Sequence, residues 1–155
     1  MKGLLWKKNL FGWLTRKCYE RLWLKIPYIP DDQILWRCVY NTHQIKEDGE
    51  LKSGFFMSQD ISVDIAILTT LEKASEAKGQ KEIWIRKPGL VEFSTKVVRS
   101  LNLNNDKKID VKHAPVDDEP RNYAHSIFTD RLTRGQSKKL IKLSKPPAGK
   151  TPSNT

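Results

Sequence analysis

Cysteine is scarce in this sequence, which contains only Cys18 and Cys38. Two cysteines are too few for a disulfide framework, and they do not have the spacing of a metal site. The sequence also lacks a glycine-rich phosphate loop and a nucleophile elbow. We therefore expect no metal and no cofactor. The scarcity of cysteine favours a reducing compartment, which predicts a cytoplasmic protein.

Long apolar runs are also absent. A membrane-spanning helix needs about 20 predominantly apolar residues, and lysine or arginine interrupts the apolar stretches near the start of the chain. No small-residue cleavage site follows these stretches, so the sequence does not predict a secretory signal.

Acidic residues are missing from the end of the chain. Residues 131–155 contain seven lysines and arginines and no acid, and residues 1–26 contain seven with one acid. The two ends therefore carry charges of +7 and +6 within a total of +10, which leaves −3 for the middle of the chain. Basic ends indicate contact with RNA, DNA or an anionic membrane surface. A charged tail that only confers solubility is the alternative.

The basic start of the chain is rich in tryptophan, and residues 1–27 are predicted to form an amphipathic extension. Apolar residues recur there at helical spacing, with lysine and arginine between them. Three interpretations stay open: the helix lies in a membrane interface, docks on a partner protein, or packs on its own body. The residues expected to bind a partner or a membrane are Trp6, Leu10, Trp13, Leu14 and Trp23.

Short strand and helix patterns follow one another through residues 28–145 and predict a single compact α+β domain. We expect a small mixed sheet with two amphipathic helices packed on it, plus N-terminal and C-terminal helices. The predicted strands are residues 34–40, 55–57, 82–86, 109–113 and 123–128, and the predicted helices of the domain are residues 62–78, 90–101 and 134–143. Residues 146–155 have the composition of a disordered tail.

The stretch from Gly54 to Asp64 joins a predicted strand to a predicted helix. Ser58, Asp60 and Ser62 are residue types that cap helix N-termini, where backbone N–H groups are unpaired. Capping explains these residues. A functional interpretation is that Ser58, Asp60 and Asp64 line a site, because the field at a helix N-terminus is positive.

A catalytic interpretation combines Arg37, Asp60 and His125. Arg37 lies among apolar neighbours in a predicted strand, so we expect Asp60 or Asp64 to pair with it. His125 stands between two small residues, and an imidazole exchanges protons near neutral pH. Such a set suits ribosyl transfer or cleavage of nucleotides or RNA, whereas the alternative is a hydrogen-bonded structural histidine. Further members of this set are Ser58 and His113.

Cations cluster in the predicted C-terminal helix and on either side of it. Contacts of this kind with phosphates give affinity without reading a base sequence. The residues expected to bind nucleic acid are Arg131, Arg134, Lys138, Lys139, Lys142 and Lys145.

Five short stretches together resemble a widespread group of small uncharacterised bacterial proteins. The stretches are Leu35-Trp36-Arg37, Asp48-Gly49-Glu50-Leu51, Gly54-Phe55-Phe56, Ile61-Ser62-Val63-Asp64 and Ala124-His125-Ser126. The resemblance covers residues 29–145 and implies a bacterial origin and a single compact body. It brings no activity with it.

The leading hypothesis from the sequence is a non-enzymatic accessory subunit of a bacterial protein–nucleic-acid assembly. The extension would bind a protein partner, and the basic ends would bind RNA or DNA. The alternatives are a small enzyme that acts on nucleotides or RNA, and a protein attached to a membrane surface.

Overall fold

The structure is a computed structural model, and it describes residues 17–39, 42–48, 50–70, 73, 90–101, 109–118 and 121–145. Its strands are β1 (Ile34–Cys38), β2 (Ser62–Ile65), β3 (Leu90–Ser94), β4 (Val111–His113) and β5 (His125–Phe128). Helix α1 (Thr95–Arg99) follows β3, and helix α2 (Arg134–Leu143) follows β5. Thr42–Gln44 and Ala66–Leu68 form 3-10 helices. The predicted α+β fold is confirmed.

The five strands form one sheet in the order β3-β1-β2-β5-β4. The sequence predicts a mixed sheet, whereas the four pairings between these strands are all antiparallel. Three of the predicted strands, residues 34–40, 109–113 and 123–128, correspond to β1, β4 and β5. The predicted strand at residues 82–86 lies outside the described residues.

The strand register places four residues in one row across the sheet. Glu92 of β3 pairs with Trp36, Trp36 pairs with Asp64, and Asp64 pairs with His125. Paired residues share a face, and successive residues of a strand alternate between faces. Arg37 therefore lies on the opposite face from this row. We call the face that carries the row the polar face and the other the core face.

The core face holds the aromatic centre of the protein. Phe56 meets Phe93 edge to face at 5.5 Å between ring centroids, and Phe93 meets Phe128 at 6.2 Å. Val98 of α1 and Leu140 of α2 are fully buried in the same cluster. Since burial of one such side chain contributes about 1.5–3 kcal/mol, this cluster fixes both helices against the sheet.

The predicted helix at residues 62–78 is wrong at its start. Ser62–Ile65 is strand β2, which lies between β1 and β5, and a 3-10 helix follows it. The apolar residues that suggest a helix are Ile61 and Ile65. A separation of four residues places both side chains on one face of a helix, but it also places them on one face of a strand. Hydrogen bonds to two neighbouring strands favour the extended form. Most of residues 69–78 lie outside the described residues.

The predicted helix at residues 90–101 is also partly wrong. Leu90–Ser94 is edge strand β3, paired with β1 over five residues. Helix α1 begins only after Ser94, whose side chain accepts a hydrogen bond from the Val97 amide as an N-cap. The predicted strand at residues 55–57 is a turn, and Phe55 and Phe56 are both buried there.

The C-terminal helix matches its predicted bounds of residues 134–143. Thr133 and Gln136 form a capping box at its start. At the other end of the chain, residues 17–21 are helical, and residues 1–16 and 146–155 lie outside the described part. The division into an extension, a domain and a tail therefore stays a prediction. Within the described residues, no helix has the length and apolar character to cross a membrane.

Candidate functional site

Helix α2 is held rigidly on the body by contacts along one side. Leu140 and Ser137 are fully buried, and the Ser137 hydroxyl donates a 2.6 Å hydrogen bond to the carbonyl of Ser53. Near the start of the helix, the Gln136 side chain donates a 3.0 Å hydrogen bond to the carbonyl of Leu101. Because this side is fixed, the cations of the helix have defined positions relative to the body.

A groove of about 730 Å³ runs between α2, the edge strand β3 and the loop at residues 46–53. Its lining combines buried apolar side chains with exposed lysines and an arginine. We call it the basic groove, and its cations are Lys46, Arg134, Lys138, Lys142 and Lys145. Its other lining residues are Glu50, Leu51, Ser53, Leu90, Val91, Ile141 and Ser144.

The cations of the groove differ in how far acids neutralise them. Lys46 forms an ion pair with Glu50, and this hydrogen bond raises the pKa of the Lys46 ammonium. Lys145 lies 3.5 Å from a carboxylate oxygen of Glu92. In the described part of the chain, Arg134, Lys138 and Lys142 form no ion pair. These three exposed cations at four-residue spacing follow one face of α2.

Two of the six cations expected to bind nucleic acid point elsewhere. The Arg131 guanidinium donates a 2.9 Å hydrogen bond to the carbonyl of Met57, and the Lys139 ammonium lies 3.3 Å from the carbonyl of Ser100. The other four line the groove. Lys46 joins them, although sequence reasoning missed it. Its loop is closed by a bridge between residues 45 and 51, which no linear spacing reveals.

Arg37 is buried on the core face, with 5% of its surface exposed. Its guanidinium donates hydrogen bonds to the carbonyls of Ser62 at 2.7 Å and Phe55 at 3.2 Å, and it lies 5.0 Å from the Phe55 ring centroid. Asp60 is exposed, and Asp64 accepts a 2.8 Å hydrogen bond from the Asn122 side chain. Arg37 thus ties the loop before β2 to β1 through backbone oxygens.

His125 lies on the polar face, so the sheet separates its side chain from that of Arg37. The predicted catalytic set of Arg37, Asp60 and His125 is not assembled. His125 instead meets Ser62, with 3.2 Å between Nε2 and the hydroxyl oxygen. Its Nδ1 lies 2.6 Å from the carbonyl oxygen of Ala114.

His113 is 1% exposed and serves as a structural connector. Its Nδ1 accepts a 2.9 Å hydrogen bond from the amide of Ile26, so Nε2 carries the proton and donates to the carbonyl of Tyr123 at 2.6 Å. Burial lowers the pKa of His113. Both ring nitrogens are therefore committed to the backbone in the neutral form.

Trp23, the described member of the predicted docking set, packs on the protein's own body. The centroid of its ring lies 5.3 Å from that of Tyr123. Of the three interpretations of the extension, this contact fits the one in which it packs on its own body. Leu22 and Leu24 on either side are 65% and 45% exposed. The other members, Trp6, Leu10, Trp13 and Leu14, lie outside the described residues.

Within the described residues, no cluster of histidine, cysteine or carboxylate side chains has the geometry of a metal site. Comparisons with models of protein families, with curated proteins and with solved structures find no match. The candidate functional sites of this protein are therefore the basic groove and the polar face.

Proposed function

We propose that this protein is an accessory subunit of a protein–nucleic-acid assembly and that it binds nucleic-acid phosphates in the basic groove. The observation that carries the proposal is the convergence of five cations from two separate parts of the chain on one concave surface. A backbone of regularly spaced phosphates is an anion that such a surface fits, because several lysines and arginines each contact one phosphate.

The row of Arg134, Lys138 and Lys142 dominates this interaction. Residues four apart on a helix lie about one turn from each other, so the three cations follow a line along α2. Among the residues that the structure describes, no acid pairs with these three cations, so they break no ion pair there when they bind an anion. The apolar part of the groove lining is Leu51, Leu90, Val91 and Ile141, and side chains of this kind do not read base edges by hydrogen bonds. This lining favours binding that depends on charge rather than on base sequence.

The rest of the proposal concerns residues outside the groove. A protein partner would bind the tryptophan-rich extension, and the assembly would be bacterial and cytoplasmic.

Attachment to an anionic membrane is the second candidate, and the exposure of Leu22 and Leu24 beside Arg21 and Lys25 favours it. Flotation of the full-length protein with anionic vesicles is compared with that of a variant with Leu22→Ser and Leu24→Ser, which keeps the backbone contacts of Leu24 and Ile26 with Tyr123 and His113. Equal flotation of both would contradict this candidate.

The nucleic-acid proposal is tested by fluorescence anisotropy of labelled single-stranded RNA and duplex DNA at several salt concentrations. Three phosphate contacts predict a slope of log affinity against log salt of about −2 for a single strand and about −3 for a duplex. Replacement of Arg134, Lys138 and Lys142 by glutamine should remove most of this slope and weaken binding to all sequences alike.

A matched control separates the groove from total charge. Replacement of Lys96, Lys112 and Lys139 by glutamine removes the same number of exposed cations, one of them from α2 itself. This variant should keep most of the salt slope. If both triple variants lose the same affinity, the basic groove has no special role and only net charge matters.

A further inference from the structure

A serine and a histidine meet on the polar face, away from the basic groove. Ser62 of β2 and His125 of β5 stand on adjacent antiparallel strands. The register pairs Ser62 with Ile127, so His125 is its diagonal neighbour on the same face. The Ser62 hydroxyl oxygen lies 3.2 Å from His125 Nε2, which is within the reach of proton transfer.

The other ring nitrogen fixes the direction of this hydrogen bond. Nδ1 of His125 lies 2.6 Å from the carbonyl oxygen of Ala114, and a carbonyl oxygen only accepts hydrogen bonds. Nδ1 therefore carries the proton, and the lone pair of Nε2 faces Ser62. The hydroxyl hydrogen of Ser62 points to a base that a third group orients, which is the general arrangement of an activated serine.

An acidic side chain lies next to the histidine on the same face. Asp64 is the direct cross-strand neighbour of His125, is 2% exposed, and is held by Asn122 at 2.8 Å. Directly opposite residues have Cβ atoms about 5 Å apart. Asp64 is therefore the acidic neighbour of His125 on the polar face.

The pair is also accessible, in contrast to the other histidine of the sheet. Ser62 and His125 are half-buried, and Lys112 is exposed on the same face, in the row that runs through Ile127 to Ser62. His113 is buried, and the backbone occupies both its nitrogens. Of the two, only His125 directs a ring-nitrogen lone pair at a side-chain hydroxyl group.

We propose that Ser62 and His125 form a nucleophile and base that hydrolyse small carboxylic esters. The Ser62 oxygen bonds to the ester carbonyl carbon, and Nε2 takes the hydroxyl proton. The carbon–oxygen bond to the leaving alcohol then breaks, and the alcohol takes that proton from the imidazolium. Water next attacks the acyl-serine while Nε2 accepts its proton. Return of the proton to the Ser62 oxygen releases the carboxylic acid and restores both groups.

The test uses the full-length protein with p-nitrophenyl acetate and, separately, an alkyl fluorophosphonate. Release of p-nitrophenol should fall by about a hundredfold or more in Ser62→Ala and in His125→Ala, because base-assisted attack contributes on that scale. The matched control is Ser100→Ala, which removes an exposed hydroxyl outside the sheet and should keep the full rate. A Ser62→Ala variant that keeps the wild-type rate would overturn the proposal.

The fluorophosphonate experiment does not depend on the folding of any variant. The reagent should modify wild-type protein at Ser62, as located by peptide mass spectrometry, and unfolding in urea should abolish the reaction. Absence of the adduct, or an adduct only at other serines, would overturn the proposal. Both measurements are made without nucleic acid, so their results are independent of the proposed binding in the basic groove.

Discussion

The hydroxyl of Tyr123 donates a 2.8 Å hydrogen bond to the carbonyl of Leu24, 99 positions earlier in the chain. Burial raises the pKa of Tyr123 to about 12, so the hydroxyl remains a donor at every physiological pH. This hydrogen bond anchors the chain just after the helical segment at residues 17–21. Trp23 there has a φ of 53°, a left-handed conformation that glycine usually takes and that costs about 1–2 kcal/mol in another residue.

Contacts around Trp23 offset this cost. The Leu24 amide donates to the carbonyl of Tyr19 at 2.8 Å and the Trp23 amide to that of Glu20 at 3.1 Å, which is the hydrogen-bond pattern of a Schellman cap. The Trp23 ring packs on Tyr123. Tyr123 therefore joins the N-terminal segment to strand β5 through both its ring and its hydroxyl.

Tyr123→Phe should lower the free energy of unfolding by about 1–2 kcal/mol, because it leaves the Leu24 carbonyl without this donor. Urea unfolding followed by tryptophan fluorescence measures the change. Tyr28→Phe is the matched control. Its hydroxyl also takes part in a hydrogen bond, from Arg99 at 3.1 Å, but Tyr28 is 54% exposed, and its loss should cost less than about 0.5 kcal/mol. Equal effects would contradict the role assigned to Tyr123.

Stability should fall in acid because of His113. Desolvation lowers its folded pKa, with smaller contributions from the charges of His125 and Lys25. The unfolded chain therefore binds a proton near pH 6.5 that the folded protein excludes, so the free energy of unfolding decreases as pH falls below that value. The free energy of unfolding changes by at most about 1.4 kcal/mol per pH unit because of this group. The change stops once the pH is below the pKa of His113 in the folded protein.

Urea unfolding between about pH 7.5 and about pH 5 checks this dependence. His113→Gln is expected to be less stable at neutral pH, because it loses the acceptor for the Ile26 amide, but its stability should change less with pH. The two proteins share every other ionisable group, so the difference between the two curves isolates His113. Parallel curves would contradict the argument.

Local patterns predicted the elements whose stabilising contacts are also local. The bounds of α2 follow from the apolar spacing of Leu140 and Leu143 in its sequence. Strand β3 shows the limit, because Leu90, Phe93 and Val97 keep helical spacing while residues 90–94 pair with β1. Hydrogen bonds to a distant strand determine whether such a segment forms a strand or a helix, and a single sequence does not specify those bonds.

The candidate sites were partly predictable for the same reason. Arg134, Lys138 and Lys142 follow from helical spacing along α2. Lys145 lies beyond the helix in a β-bridge with Glu92, and Lys46 reaches the groove through a separate loop. The sequence predicts His125 as a proton-exchanging group but Ser62 only as a helix cap. Their contact depends on the register between β2 and β5, and a shift by one residue would place them on opposite faces.

Arg37→Lys should lower the free energy of unfolding by about 2 kcal/mol. A lysine ammonium is a compact group that does not reproduce the planar fork of the guanidinium, so one of the two buried carbonyl oxygens, of Phe55 or Ser62, loses its charged donor. Urea unfolding measures the difference. Arg121→Lys makes the same exchange in an exposed ion pair with Asp117 and should change stability by less than about 0.5 kcal/mol. A small effect at Arg37 would mean that water replaces its contacts.

Glu92→Gln should strengthen nucleic-acid binding. Glu92 is 6% exposed and accepts a 3.1 Å hydrogen bond from the Trp36 indole while its other oxygen faces Lys145. Glutamine keeps an oxygen for the indole but removes the negative charge, so Lys145 becomes available to a phosphate. The magnitude of the salt slope should then increase by about 1, the value for one added contact.

Asp117→Asn is the control for this change, since it removes an exposed acid that pairs with Arg121 away from the groove. Both variants raise the net charge by the same amount. If charge at the groove matters, only Glu92→Gln steepens the slope, and the triple glutamine variant of α2 moves it in the opposite direction. An equal gain in Asp117→Asn would mean that phosphates respond to the whole surface, and the basic groove would no longer explain the binding.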